Sequence, residues 1–311
     1  MKHRVVTGPP PPIADLPERI LALKERRDAV ILAHNYQPGD IQDLADFVGD
    51  SLELSRKAAG AKGKVIVFCG VDFMAETAAI LSPQKTVLLP AGDACCPMAE
   101  MISAEDVRML RERHPKAAVV AYVNTSAAVK AESDICCTSA NAVQIVNSLE
   151  EDQILFVPDR NLGLYVARFT EKKVLSWDGF CFVHDRYTAA DVEKAKREHP
   201  DAELLVHPEC RPEVIDLADA VFSTSGMIHH ACAGKQDGYI IGTEVGILHR
   251  MRKLCPEKQY YPLSSYAVCE NMKKTTLELL YRALESMSPV ITVEEPVASR
   301  ARAAIERMLA V

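Results

Sequence analysis

Between Ser103 and Glu209 one pattern of 22 residues is written twice at a constant offset of 85. Ser103-Ala-Glu-Asp106 opens the first copy and Thr188-Ala-Ala-Asp191 the second, each a hydroxyl followed three residues later by a carboxylate, the signature of a helix N-cap. Both copies run on as amphipathic helices and stop at His114-Pro115 and His199-Pro200. Both resume as apolar strands ending in Tyr122-Val-Asn124 and His207-Pro-Glu209. An earlier version, Leu16 to Tyr36, ends in His34-Asn-Tyr36. Self-similarity at a fixed period means one structural unit stacked on its own copies.

The rest of each unit keeps the period. Asp50-Ser51, Thr138-Ser139 and Ser223-Thr224-Ser225 each lead into a helix. Short apolar strands follow at Val65 to Phe68, Ile154 to Val157 and Tyr239 to Ile241, and each is succeeded by an acid in a turn, Asp72, Asp159 or Glu244. A last apolar strand then ends in a cysteine loop, at Cys96, Cys181 and Cys269, spaced by 85 and 88 residues. Strands alternating with helices predict parallel sheets covered on both faces. The expected fold is α/β: three pseudo-threefold-related sandwich domains with small parallel sheets around a central cavity. The expected units are 13–103, 104–188 and 189–274, with a helical tail over 275–311 packing on them. Constancy of the offset argues against a single doubly wound sheet with accidental similarity.

Composition narrows the class of function. A net charge of −7 with no basic block argues against nucleic acid or an anionic membrane as a partner. No apolar run approaches the ~20 residues of a membrane span, and no signal-peptide core is visible, so a cytoplasmic protein is expected. Met1 to Pro12, with four consecutive prolines, reads as a leader outside the fold.

Ten cysteines in a reducing compartment point to metal or catalytic roles before disulfides. Cys-x-x-Cys does not occur. Cys69, Cys136, Cys137, Cys232 and Cys255 read as small buried hydrophobes. Cys96, Cys181 and Cys269, delivered from three equivalent loops, read as metal ligands. Three thiolates fit two kinds of centre: a structural zinc completed by a histidine, or an iron–sulfur cubane with one iron free to act as a Lewis acid.

Ligands in open α/β sheets bind beyond the carboxyl ends of the strands. The strand tips therefore nominate Tyr36, Tyr122, His34, His207 and Glu209 as acid–base or binding groups, and Asn124 with them. Glu209 stands out because it follows a cis-capable proline beside His207 at the mouth of an apolar strand. Ser51, Ser139, Ser223 and Thr224, each beside a helix start, either cap that helix or combine with its free N–H groups to hold an anion. Recurrence at one repeat position favours the second reading, with substrates carrying carboxylates or phosphate. His184, three residues after Cys181, is a further binding candidate, whereas His229-His230 inside a helix is not.

Taken together the motifs resemble the quinolinate synthase family over nearly the whole chain, from about Ile31 to Ala303. They are His34-Asn-Tyr36-Gln37, Asp43-Leu-Ala-Asp-Phe-Val-Gly-Asp-Ser51, Gly70-Val-Asp-Phe-Met-Ala-Glu76-Thr77, Cys96-Pro-Met, Tyr122-Val-Asn124, Thr138-Ser139-Ala-Asn141, His207-Pro-Glu209-Cys210, Ser223-Thr-Ser-Gly226-Met and Cys269-Glu-Asn-Met272-Lys273. The resemblance implies a [4Fe–4S] cluster on Cys96, Cys181 and Cys269 and a condensing transferase of NAD biosynthesis. Its substrates would be iminoaspartate and dihydroxyacetone phosphate, joined to quinolinate with loss of phosphate and water, with functional coupling to L-aspartate oxidase as source of the imine. By position, His34, Ser51, Tyr122, Asn124, Ser139, His207, Glu209 and Thr224 would bind substrate, while Tyr36 and Glu209 would move protons. Asn35 departs from the family, where an aromatic is common, and Cys269 lacks the neighbouring cysteines that some relatives carry. In the Cys95-Cys96 doublet, Cys96 is chosen because proline follows it.

Overall fold

A computed structural model describes residues 15–311, so the leader expected over Met1 to Pro12 lies outside the described residues. Three sheets are built on one plan. The first contains β1 (Ala29–His34), β2 (Phe47–Gly49), β3 (Val65–Cys69) and β4 (Thr86–Leu88). The second contains β5 (Ala118–Tyr122), β6 (Ile135–Cys137), β7 (Gln153–Val157) and β8 (Lys173–Ser176), and the third β9 (Glu203–Val206), β10 (Ala220–Val221), β11 (Gly238–Gly242) and β12 (Gln259–Pro262). In each, the strands lie in the order second, first, third, fourth, and all these pairs are parallel. The α/β architecture of three small parallel sheets is thus the one the repeat predicts.

Each copy also pins its central strand in the same way. The acid before the second strand accepts the amide of Ile31, Val119 or Leu204 through its carboxylate, at 2.7 to 2.8 Å for Asp46, Asp134 and Asp219. A cation from the preceding helix holds each acid: Lys24, Arg111 and Lys196, at 2.5, 2.8 and 3.1 Å. These half-exposed pairs stabilise by no more than about 1 kcal/mol each. Their use is to fix register. The capping boxes read at Ser103 and Thr188 are both formed, with Asp106 and Asp191 returning the bond.

β3 and β5 are buried along their whole length, as strands covered on both faces must be. Burying one such isoleucine or valine contributes about 1.5–3 kcal/mol. The segment after residue 274 is more than a helical tail. Helix Leu277–Ser286 leads to β13 (Val290–Ile291), which pairs antiparallel with β4 and gives the first sheet a fifth strand. Helix Val297–Ala310 then packs on helices Asp72–Leu81 and Ala127–Ala131 and on β6, bridging the first two sheets.

Two further expectations need correction. Cys232 and Cys255, read as inert thiols, are joined in a disulfide with Cα atoms 5.7 Å apart, because the end of helix Thr224–Ala233 lies beside the cap of helix Ile247–Leu254. The His207–Pro208 peptide is trans, and the described cis X-Pro bonds lie elsewhere. Cys69, Cys136 and Cys137 are free and fully buried, and burial pushes the Cys69 and Cys136 thiols up to about 12. No helix among the described residues is long and apolar enough to cross a membrane.

Candidate active site

The carboxyl ends of the three sheets face one cavity, with about 720 Å³ of atom-free space counted together with its opening to solvent. His34, Tyr36, Ser51, Tyr122, Asn124, Ser139, His184, His207, Glu209, Thr224, Cys96, Cys181 and Cys269 all line it. Of the nominated residues, Ser223 does not. It is the N-cap of helix Thr224–Ala233, accepting the Gly226 amide at 3.3 Å, and its hydroxyl donates to Asp50 at 3.2 Å. Asp50 in turn caps helix Ser51–Ala59. The two caps thereby free Ser51 and Thr224, each the first helical residue, to present their hydroxyls to the cavity. Thr224 Oγ1 accepts from Asn35 Nδ2 at 3.0 Å, which leaves its own proton to donate.

His34 and His207 occupy equivalent strand tips and behave alike. Nδ1 of each accepts the amide two residues on, from Tyr36 at 3.2 Å and from Glu209 at 3.3 Å. The ring proton therefore sits on Nε2, and in His207 it donates to Ser139 Oγ at 3.1 Å. Burial, reinforced by Lys273, lowers His34 to about 3, and burial lowers His207 to about 3 although Glu209 opposes it. Both rings are neutral donors at neutral pH.

Glu209 is the hub. It is buried, yet Nδ1 of His184 lies 2.6 Å from its Oε2 and Tyr122 approaches the same carboxylate. Burial would raise its pKa, but hydrogen bonds from His184 and Tyr122 favour the charged form and hold the carboxyl below its ordinary range. Its Oε1 is buried without a well-aligned partner among the described residues, and so is Asn124 Oδ1. Two orphaned acceptors in one polar cavity are what a hydrogen-bonding ligand would satisfy. Burial first and Glu209 second push the Tyr36 and Tyr122 phenols well above their ordinary value, so both keep their protons.

Thr243 was missed by sequence reasoning. Its hydroxyl lies 2.5 Å from the Tyr36 hydroxyl and 2.8 Å from Nε2 of His184. With His184 Nδ1 donating to Glu209, Nε2 accepts from Thr243 and Thr243 accepts from Tyr36, a directed chain between two groups able to move protons. The residue before the acid is Val71 in the first copy and Pro158 in the second, so the repeat carries no signal for it. The walls of Phe73, Met74, Phe182 and Met272 also escape a search for polar residues.

The three cysteines fit a group that takes three thiolates. Burial, then Glu209, then both other sulfurs raise the Cys181 thiol, and burial raises Cys96, with Cys269 adding to it. A cationic metal centre reverses each of these penalties. Each sulfur also faces the amide of the residue three positions on, Ala99, His184 or Met272, which favours the thiolate. Cys95 borders the cavity too, its thiol raised by burial and then by Glu100 and Asp72, with Lys274 opposing. Cys181, His184 and Glu209 together have the donor types for a single metal ion. Nδ1 of His184 lies 3.2 Å from Cys181 Sγ and 2.6 Å from Glu209 Oε2, and its Nε2 meets Thr243 at 2.8 Å.

Fold and site define a three-sheet α/β protein with a cavity that one cysteine from each repeat lines. A family model described as quinolinate synthetase A protein matches residues 18–310. The quinolinate synthase of Methanoregula boonei is 66% identical over 295 residues, covering 95% of this chain and 98% of that protein. Quinolinate synthase 1 of Methanosarcina acetivorans is 55% identical over 298 residues, 96% and 98% of the two chains. The quinolinate synthase of Thermodesulfovibrio yellowstonii is 54% identical over 293 residues, 94% and 97%. The chain belongs to the quinolinate synthase family.

Proposed function

We propose that this protein condenses iminoaspartate with dihydroxyacetone phosphate to quinolinate, releasing phosphate and water, as a cytoplasmic enzyme of NAD biosynthesis. The observation that carries the reading is that Cys96, Cys181 and Cys269, one from each repeat, line one cavity together with the neutral donors His34, His207, Ser51, Ser139 and Thr224 and the carboxylate of Glu209. A [4Fe–4S] cluster held by these three thiolates would supply an open iron, a Lewis acid for an oxygen that leaves as water.

The chain's own groups account for the rest. Neutral Nε2–H of His34 and His207 and the hydroxyls of Ser51, Ser139 and Thr224 hold carboxylates and phosphate. None of these donors is charged, so substrate anions are bound without fixing a permanent ion pair. Glu209, ionised, accepts a proton, and Tyr36 and Tyr122, both protonated, donate one. The Thr243–His184 link lets Tyr36 and Glu209 exchange protons. Val71, Phe73, Met74, Phe182 and Met272 keep bulk water off an imine that hydrolyses readily. That lability also argues for coupling to L-aspartate oxidase as the supplier.

Anaerobic incubation of the iron-loaded protein with both substrates should yield quinolinate. Absence of quinolinate from a fully loaded protein would remove this assignment in favour of another hydro-lyase acting on a small anion.

A further inference from the structure

Each cavity cysteine is stitched to the turn that follows its own domain's third strand. The first stitch is main chain. The carbonyl two residues before the cysteine, on Ala94, Gly179 or Ala267, accepts the amide of Asp72, Arg160 or Val245 at 2.9, 2.8 and 3.0 Å. The second is a side chain. The acid of that turn receives the cysteine's own N–H in two domains, Asp159 from Cys181 at 3.2 Å and Glu244 from Cys269 at 3.2 Å, and in the first the half-buried Asp72 carboxylate lies toward the Cys96 amide. The two loops meet so closely that a Cβ on Gly179 would fall 2.5 Å from the Pro158 carbonyl oxygen.

The other oxygen of these acids is spoken for within the turn. Asp159 Oδ1 accepts the Leu162 amide at 2.7 Å, and Glu244 Oε2 accepts the Gly246 amide at 2.7 Å. Asp159 and Glu244 are both fully buried. Asp159 thus divides its oxygens between the helix start and the Cys181 amide, and Glu244 between the Gly246 and Cys269 amides, with Lys273 Nζ 2.9 to 3.0 Å from both Glu244 oxygens balancing its charge.

We propose that Asp72, Asp159 and Glu244 are positioning residues that fix the backbone of Cys96, Cys181 and Cys269 so that the three thiolates converge. This rests on the cluster reading given above. They act through the main chain of the ligands. A carboxamide at the same position keeps the size and one acceptor oxygen, so it can still cap the turn. It then turns an N–H₂ toward an N–H, and the bond to the cysteine is lost.

Asp72→Asn, Asp159→Asn and Glu244→Gln, reconstituted anaerobically with iron and sulfide beside the wild type, should each lose iron to a chelator at a concentration about 10- to 100-fold lower. That is the range for losing a hydrogen-bond partner of a metal ligand. Asp106→Asn, which weakens an exposed capping box remote from the cavity, should match the wild type. Melting of the iron-free proteins shows whether each variant folds; one that does not is replaced by the other two, which test the same statement in other domains. Folded variants that hold iron as firmly as the wild type would overturn the positioning role and leave the cluster reading intact. A wild type that takes up no iron and sulfide would overturn both.

Discussion

The cysteine loops and the first-strand tips are both repeated three times, but they repeat different things. At the loops the residue itself recurs, together with a main-chain hydrogen bond to the same turn and an amide facing each sulfur. At the tips only the position recurs, and the side chains diverge into His34 and Tyr36, Tyr122 and Asn124, His207 and Glu209. Symmetry suits a task in which three equal donors share one load. Directional chemistry needs an acid, a base and distinct binding groups, and those can come only from breaking it. The same scaffold thus holds with what is alike and discriminates with what is not.

The largest effects should separate these two layers. Cys96→Ala, Cys181→Ala and Cys269→Ala should each abolish iron and sulfide incorporation, read by metal analysis and visible absorption. Cys69→Ala and Cys136→Ala, at buried positions away from the cavity, should retain both. Iron loss in either of the latter would erase the distinction between loop and core thiols. Glu209→Gln should keep the iron and lower kcat by about 10²–10⁴, the range for an acid–base group. Near-normal turnover would move the base elsewhere on the tips.

A third test uses acid. Unfolded histidines take up protons near pH 6.5, whereas His34 and His207 do so only at about 3 in the folded protein. Their folded pKa values are depressed, so the stability they confer is complete above about pH 6.5 and is lost as pH falls toward 3, by up to about 1.4 kcal/mol per pH unit for each. Denaturant melts between about pH 7 and pH 5 should show that slope. A flat profile would mean these tips are not sealed from water. The smallest effects lie at one helix start. Ser223→Ala should cost about 1 kcal/mol of stability through loss of the cap, with KM unchanged. Thr224→Ala should raise KM by about 2- to 10-fold, equivalent to one neutral hydrogen bond. An altered KM in the Ser223 variant would place it among the ligand-binding groups after all.

Most of the scaffold was legible because its signals are periodic. His-Pro stops, capping boxes and the constant offset are local patterns that three copies reinforce. Strand-tip polar residues were legible by the same rule, since topology sends every tip to one side. What escaped has no periodicity to betray it. β13 is only two residues, Val290 and Ile291, and its antiparallel pairing is set by contact with β4 rather than by any pattern of its own. Thr243 lacks a counterpart in the other copies. The Cys232–Cys255 bridge depends on two helix ends meeting, which spacing alone does not report. Ser223 and Thr224 show the finer limit: adjacent hydroxyls divide capping from cavity lining by one helical step.

The short strand β13 has a consequence for how the protein is made. Its partner β4 leads straight into the loop of Cys96, and the amide of Leu89 donates to the carbonyl of Pro289 at 3.2 Å. Residues translated almost two hundred positions later therefore border the loop that carries the first sulfur. A growing chain that has reached Ser286 possesses every cysteine of the trio but still lacks this border. The surroundings of the Cys96 loop are therefore completed only once the final stretch has docked against the opening third of the molecule.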